Sequence, residues 1–210
     1  MKWEFEQVTP AEIEKRSFEI IESELPHPLE PELAPIIKRV IHTSADFEYA
    51  DSLCFSPDVV NKALDAIRRG ACIVTDTNMG KSGINKKALA RHGGEVFCFM
   101  ADEDVARMAQ ENGTTRAVAS MDKACTIHRP LIFAIGNAPT ALIRLYELIE
   151  SGRLKPELII GVPVGFVNVV PAKELIMEAG VPYIVARGRK GGSNVAAAIC
   201  NALLYLLGRE

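Results

Sequence analysis

The sequence predicts an α/β protein with a Rossmann-like, three-layer layout: a mainly parallel, about five-stranded sheet with helices on both faces. Three observations carry this. Five short apolar runs, at 71–75, 96–99, 131–135, 158–162 and 183–186, are bounded by turn residues. Helical stretches separate the runs. The runs are continuously apolar rather than alternating, as strands covered on both faces are. Residues 1–210 are read as one domain of ordinary size, long enough for a substantial core.

The elements follow in order. Residues 10–24 form a first helix, with Thr9 as N-cap before Pro10 and Ile13, Phe18, Ile20 and Ile21 as its apolar content. Pro26, Pro28 and Pro31 punctuate a loop. Leu33, Ile36, Ile37, Val40 and Ile41 then make the i, i+3, i+4, i+7, i+8 stripe of an amphipathic helix. Pro35 suits its first turn, and it ends at His42, where Thr43, Ser44 and Asp46 begin a polar segment. Ser56 is expected to cap a helix over 57–69 that closes at Gly70. Further helices are expected near 84–92, 102–111, 137–151, 168–179 and 193–207, and the ambiguous stretch 117–129 reads as another. The stretch 195–207 is apolar nearly all round and must be buried, either inside one subunit or at a subunit interface.

Composition narrows the function classes. With 48% hydrophobic and 24% charged residues and a net charge of −3, the chain is globular, and its slight acidity argues against nucleic acid as main partner. The acidic start, Met1 to Glu6, has no secretory pattern, and the most apolar stretch, 195–207, is too short to span a bilayer. Five scattered cysteines, with no CxxC and no Cys/His cluster, argue against a disulfide framework or a metal site and for a cytoplasmic location. Cys72 and Cys98, inside apolar runs, read as small buried hydrophobes.

Function is expected at the carboxyl ends of the strands, where open parallel sheets bind ligands. Four of these ends carry polar, Gly-rich loops, at 76–83, 136–140, 163–168 and 187–194. Each offers backbone N–H groups beside a helix N-terminus, an anion site, although Gly and Asn also make plain tight turns. Cations accompany the loops: Lys81 on the first, Arg187, Arg189 and Lys190 on the last, Arg116 after Gly113. They suggest a polyanionic small molecule. Neither nucleotide fingerprint fits, since Thr75 stands where a P-loop needs its first Gly and Gly188, Gly191 and Gly192 have the wrong spacing for a dinucleotide turn. His42 shares a helix surface with Lys38 and Arg39. An anion held by those two cations suits it to general acid/base work, and the plainer alternative is a surface or capping histidine.

The segments Ser17-Phe18-Glu19-Ile20-Ile21, Arg39-Val40-Ile41-His42-Thr43-Ser44-Ala45-Asp46-Phe47, Thr75-Asp76-Thr77-Asn78-Met79-Gly80-Lys81-Ser82-Gly83-Ile84 and Gly161-Val162-Pro163-Val164-Gly165-Phe166-Val167-Asn168 resemble, in order and spacing, the precorrin-8X / cobalt-precorrin-8 methylmutases. The resemblance runs from about Ser17 to the C-terminal helix. It implies migration of a methyl group from C11 to C12 of a corrin precursor, giving hydrogenobyrinic or cobyrinic acid, with no cofactor. It implies His42 as the catalytic proton donor and acceptor. Ser17, Arg39, Thr77 and Arg116 match motif positions expected to touch substrate, and Asn78, Lys81 and Gly165 follow from motif membership alone. It also implies a polycarboxylate tetrapyrrole substrate and a homodimer with the site near the interface. Two alternatives stay open: a dinucleotide-dependent oxidoreductase on the same layout, and a non-catalytic tetrapyrrole-binding protein.

Overall fold

In the computed structural model, which describes residues 6–9 and 12–208, six strands form one sheet. They are β1 (Leu53–Phe55), β2 (Cys72–Thr75), β3 (Val96–Phe97), β4 (Leu131–Ile135), β5 (Leu158–Gly161) and β6 (Tyr183–Ala186), in the spatial order β3-β2-β4-β5-β6-β1. The five expected strands pair in parallel. The sixth, β1, was not anticipated: it runs antiparallel to β6, pairing Leu53 with Ala186 and Phe55 with Ile184. Three residues are too few to show a strand period.

The helices are α1 (Ile13–Glu24), α2 (Ala34–Ser44), α3 (Tyr49–Ser52), α4 (Val59–Arg68), α5 (Asn78–Gly83), α6 (Lys86–Ala90), α7 (Glu103–Glu111), α8 (Arg116–Ala124), α9 (Pro139–Glu150), α10 (Val169–Met177) and α11 (Ser193–Leu206). Residues 10 and 11, expected at the start of the first helix, lie outside the described residues, as does most of the 1–6 segment. The Thr9 hydroxyl meets the Glu12 carboxylate at 2.5 Å, so it does not act as the expected cap. Ser56 is no helix cap either. Its N–H donates to the Tyr183 carbonyl at 3.1 Å, and its hydroxyl accepts the Tyr183 N–H at 2.9 Å, which prolongs the β1–β6 edge. The expected helix near 84–92 is the shorter α6, which Asn85 caps through the Ala88 N–H, and α5 is an unexpected helix within the loop at 76–83.

Side chains alternate along the strands although the runs are continuously apolar. Ile73, Ile132, Leu158, Ile160 and Ile184 face α1, α2, α4 and α11, while Val74, Phe133, Ile135, Ile159 and Val185 face α8, α9 and α10. Helix α11 packs on α2, α4, α5 and the sheet. Val195, Ala196, Ile199 and Leu203 are each 1% exposed or less, so most of α11 is buried within the chain, while Leu206 at its end is exposed. Among the described residues no helix is long and apolar enough to cross a membrane.

In this strand order the chain reverses direction across the sheet between β2 and β4. That switch point opens at the carboxyl ends of the strands, with the loops at 76–83 and 136–140 on its two sides.

Candidate active site

The switch point is closed by the chain's own carboxylate. Asp76 directly follows β2, is 1% exposed, and accepts the N–H groups of Gly136, Asn137 and Ala138 at 2.9, 2.8 and 2.6 Å. Those are the donors at the start of α9 that would otherwise cradle a phosphate. The loop at 136–140 therefore has no free anion site, a correction to the expectation of four equivalent loops. Burial pushes the Asp76 carboxyl up from its ordinary value, and the three N–H donors pull it back down. Sequence inspection singled out its neighbours and passed over Asp76, because an Asp after a strand reads as an ordinary turn residue.

The other loops are tied into one continuous rim. Thr77 caps α5 by accepting the Gly80 N–H at 3.0 Å, and its hydroxyl meets that of Ser193 at 2.7 Å, joining the first loop to the start of α11. The Gly165 N–H donates to the Arg189 carbonyl at 3.1 Å and the Gly192 N–H to the Val162 carbonyl at 2.9 Å, which interlocks the loops at 163–168 and 187–194. Gly191 needs its missing side chain here: a Cβ would lie 2.1 Å from the Val162 oxygen. Both α10 and α11 start beside this rim without a side-chain cap. At the far end, the Thr115 and Thr140 hydroxyls at 3.2 Å link the start of α8, with Arg116, to the start of α9.

His42 joins the rim through the segment behind it. Helix α2 runs two residues past the expected end, stopping at Ser44, and Ala45 turns the chain with a φ of 54°. The Lys190 ammonium meets Asp46 at 2.7 Å and Glu48 at 2.6 Å. This hydrogen-bonded pairing holds the Asp46 carboxyl below its ordinary value and Lys190 above its own. The His42 imidazole is exposed and stacks on Phe18, with ring centroids 5.4 Å apart. The Arg39 guanidinium lies 4.9 Å from the centroid of the same ring. Ser17 shares with His42 a depression of about 250 Å³ walled by Ile20, Ile21, Ile41 and Phe47.

Of the expected site residues, the structure gathers Ser17, Arg39 and His42 around Phe18, and Thr77, Asn78, Lys81 and Gly165 around the interlocked loops. Arg116 stands apart at the end of the rim and is exposed. The cations are not equally available. Arg39 is paired with Glu14, Lys38 with Glu22 and Arg187 with Glu174. Among the described residues the Lys81 ammonium has no hydrogen bond or ion pair, the Arg189 guanidinium meets only the Phe166 ring, at 5.4 Å, and the Arg116 guanidinium makes one 3.4 Å bond to the Met100 carbonyl. Beside these cations Met79, Phe166 and Val167 are 70, 81 and 80% exposed. Large apolar side chains held in water next to unpaired cations fit a flat apolar ligand with an anionic fringe. Among the described residues no group of three or more His, Cys, Asp or Glu side chains could hold a metal ion.

One buried charge escaped sequence inspection. Lys173 is fully buried on α10 and donates to the carbonyls of Gly188 and Lys190, both at 2.8 Å. Burial pulls it down to about 8 from 10.5. An unfolded chain then holds a proton that the folded one has released between those values, so stability should rise with pH across that window. Relative to Lys173→Met, the wild-type chain should gain up to about 3 kcal/mol from pH 8 to 10.5 in urea unfolding.

Comparison with known proteins adds the following. The family model described as precorrin-8X methylmutase matches residues 12–206. A cobalt-precorrin-8 methylmutase of Priestia megaterium is 48% identical over 200 residues, covering 95% of this chain and 89% of the relative. A precorrin-8X methylmutase of Pseudomonas aeruginosa is 38% identical over 174 residues, covering 82 and 83%. The crystal structure of precorrin-8X methylmutase from Thermus thermophilus superposes with a TM-score of 0.85 at 41% identity, covering 93% of this chain and 96% of that one.

Proposed function

We propose, since the chain belongs to the precorrin-8X methylmutase family, that it moves a methyl group from C11 to C12 of precorrin-8X or cobalt-precorrin-8 with His42 as proton donor and acceptor. The chain is an isomerase of corrin-ring biosynthesis, and the tetrapyrrole it acts on is a broad macrocycle fringed with carboxylates. One observation carries the residue-level reading: unpaired cations, exposed apolar side chains and the His42 cluster share one hydrogen-bonded rim at the carboxyl ends of the strands.

On this reading Met79, Phe166 and Val167 meet the apolar body of the macrocycle, and Lys81, Arg189 and Arg116 meet its carboxylates, together with the first N–H groups of α10 and α11. Thr77, Asn78 and Gly165 shape the loops that present them. Ser17 and Arg39 border the acid/base group. His42 gives a proton to the macrocycle, the methyl group migrates as a formal [1,5] shift, and the proton returns, so atoms balance without a cofactor. Proton transfer of this kind contributes about 10²–10⁴-fold. We also infer one methylmutase unit per chain, a cytoplasmic location and a homodimer. Support for the dimer is a depression of about 630 Å³ beside Arg39, lined by Phe18, Leu29, Tyr205 and Leu206, that opens to the outside. The dinucleotide alternative is disfavoured by Asp76, which already occupies the N–H groups at the switch point.

The test is a visible absorption titration with hydrogenobyrinic acid and with its cobalt form, cobyrinic acid, using NADH as control. A saturable spectral change with either corrinoid and none with NADH is expected. Binding of NADH without binding of either corrinoid overturns the reading.

A further inference from the structure

We propose that Lys173 is a positioning residue for substrate: from inside the fold it fixes the carbonyls on both sides of Arg189, and so sets Arg189 on the rim. The inference rests on the reading of this rim as the substrate site.

The segment from Arg187 to Gly192 has no regular secondary structure to hold it, and it carries three exposed cations. Yet three successive carbonyls in it are each bonded, two of them to the buried Lys173 and the one between them to the neighbouring loop. Gly188 and Lys190 accept from the Lys173 ammonium at 2.8 Å each, and Arg189 between them accepts the Gly165 N–H at 3.1 Å. With the Gly188 and Lys190 oxygens held by the buried ammonium, the side chains of Arg189 and Lys190 lie exposed. Arg189 then reaches the exposed Phe166 ring, and Lys190 reaches Asp46 and Glu48.

The choice of residue is informative. Lys173 is fully exposed to the penalty of burying an ammonium, and its polar partners among the described residues are these two carbonyls alone, with no carboxylate. A methionine would fill the same space on α10 without that penalty. What the lysine supplies, and an apolar side chain cannot, is a pair of charge-assisted bonds that leave the strip one place to sit. A loop bonded to water instead would keep its cations but not their positions, and misplaced binding groups weaken substrate binding more than they slow a proton transfer made elsewhere.

The test is a double-variant cycle on the full-length protein with precorrin-8X or cobalt-precorrin-8 as substrate. Lys173→Met, Arg189→Ala and the double variant are compared for kcat and KM, with urea unfolding of each. The Lys173→Met variant should raise KM about tenfold, the size of one displaced charge-assisted contact, with kcat within about threefold of wild type. The double variant should have a KM within about twofold of Arg189→Ala alone, since Lys173 acts through Arg189. An unchanged KM in Lys173→Met, or effects that multiply in the double variant, overturns the proposal. If Lys173→Met does not fold, Lys173→Gln, which keeps an N–H donor on a shorter stem, is judged by the same criteria. Failure of the underlying reading is a separate outcome: the wild-type protein then neither turns over the substrate nor binds the corrinoid product.

Discussion

A His42→Ala variant should bind hydrogenobyrinic acid within a few-fold of wild type and turn over precorrin-8X or cobalt-precorrin-8 about 10²–10⁴-fold more slowly. The separation of binding from turnover follows from where the side chain sits. His42 is exposed near the end of α2, and its imidazole makes no hydrogen bond or ion pair among the described residues. Its ring contact is the stack on Phe18. Removing it leaves Phe18 under the Arg39 guanidinium, and Arg39 remains tied to Glu14. The fold should therefore hold, with a change in urea unfolding of about 0.5 kcal/mol or less, the usual size for a surface substitution. The rim cations Lys81, Arg189 and Arg116 are untouched, which preserves the anion-binding contacts. Full turnover in this variant would remove the acid/base role and leave a reaction driven by binding alone. Loss of binding together with turnover would make His42 a substrate anchor.

The largest effect on stability is expected at Asp76. Asp76→Ala leaves three N–H groups at the start of α9 without their acceptor at the carboxyl end of β2, two of them buried. Each unsatisfied buried donor costs about 1–3 kcal/mol, and breaking a buried charged partnership costs about 3–5 kcal/mol in measured cases. A loss of about 3–5 kcal/mol is a large share of the roughly 5–15 kcal/mol that holds a folded protein together. Asp76→Asn should recover only part of this, because its single carbonyl oxygen can serve one side of the turn while its NH₂ group confronts a donor. Turnover should fall with stability in both variants, since Thr77 next to it caps α5 and bonds Ser193 at the start of α11. A urea unfolding shift below about 1 kcal/mol in Asp76→Ala would mean that the switch point is not held by this carboxylate.

Much of the architecture was legible without coordinates. Five parallel strands came from short apolar runs, and the ends at Thr75, Ile135 and Ala186 agree with the structure. The periodic stripe from Leu33 to Ile41 is the buried face of α2, with Ile36, Ile37, Val40 and Ile41 all buried. The failures share one physical character. β1 exists because Leu53, Cys54 and Phe55 find a free edge on β6, and three residues acquire a strand geometry only from that partner. Ser56 looked like a helix cap, but a strand edge reached it first. Lys173 carries no sequence signal that sets it apart, and its orientation is decided by carbonyls 15 and 17 residues further on.

The same division runs through the site. Its resemblance to the methylmutase motifs was readable in order and spacing, and His42, Arg39, Ser17 and the loop residues were named from it. Which cations are free was not readable, because each answer depends on a distant carboxylate: Glu14 pairs Arg39 across 25 residues, and Asp46 pairs Lys190 across 144. By itself the sequence determined what is local, namely hydrophobic period, turn chemistry and motif order. Only the tertiary structure decided what is paired, namely that Asp76 closes the switch point, that Lys173 holds the last loop, and that Lys81, Arg189 and Arg116 have no carboxylate partner among the described residues. Periodicity is set by neighbours a turn apart, whereas the partner of a charge is set by whichever segment folding brings within about 3 Å of it.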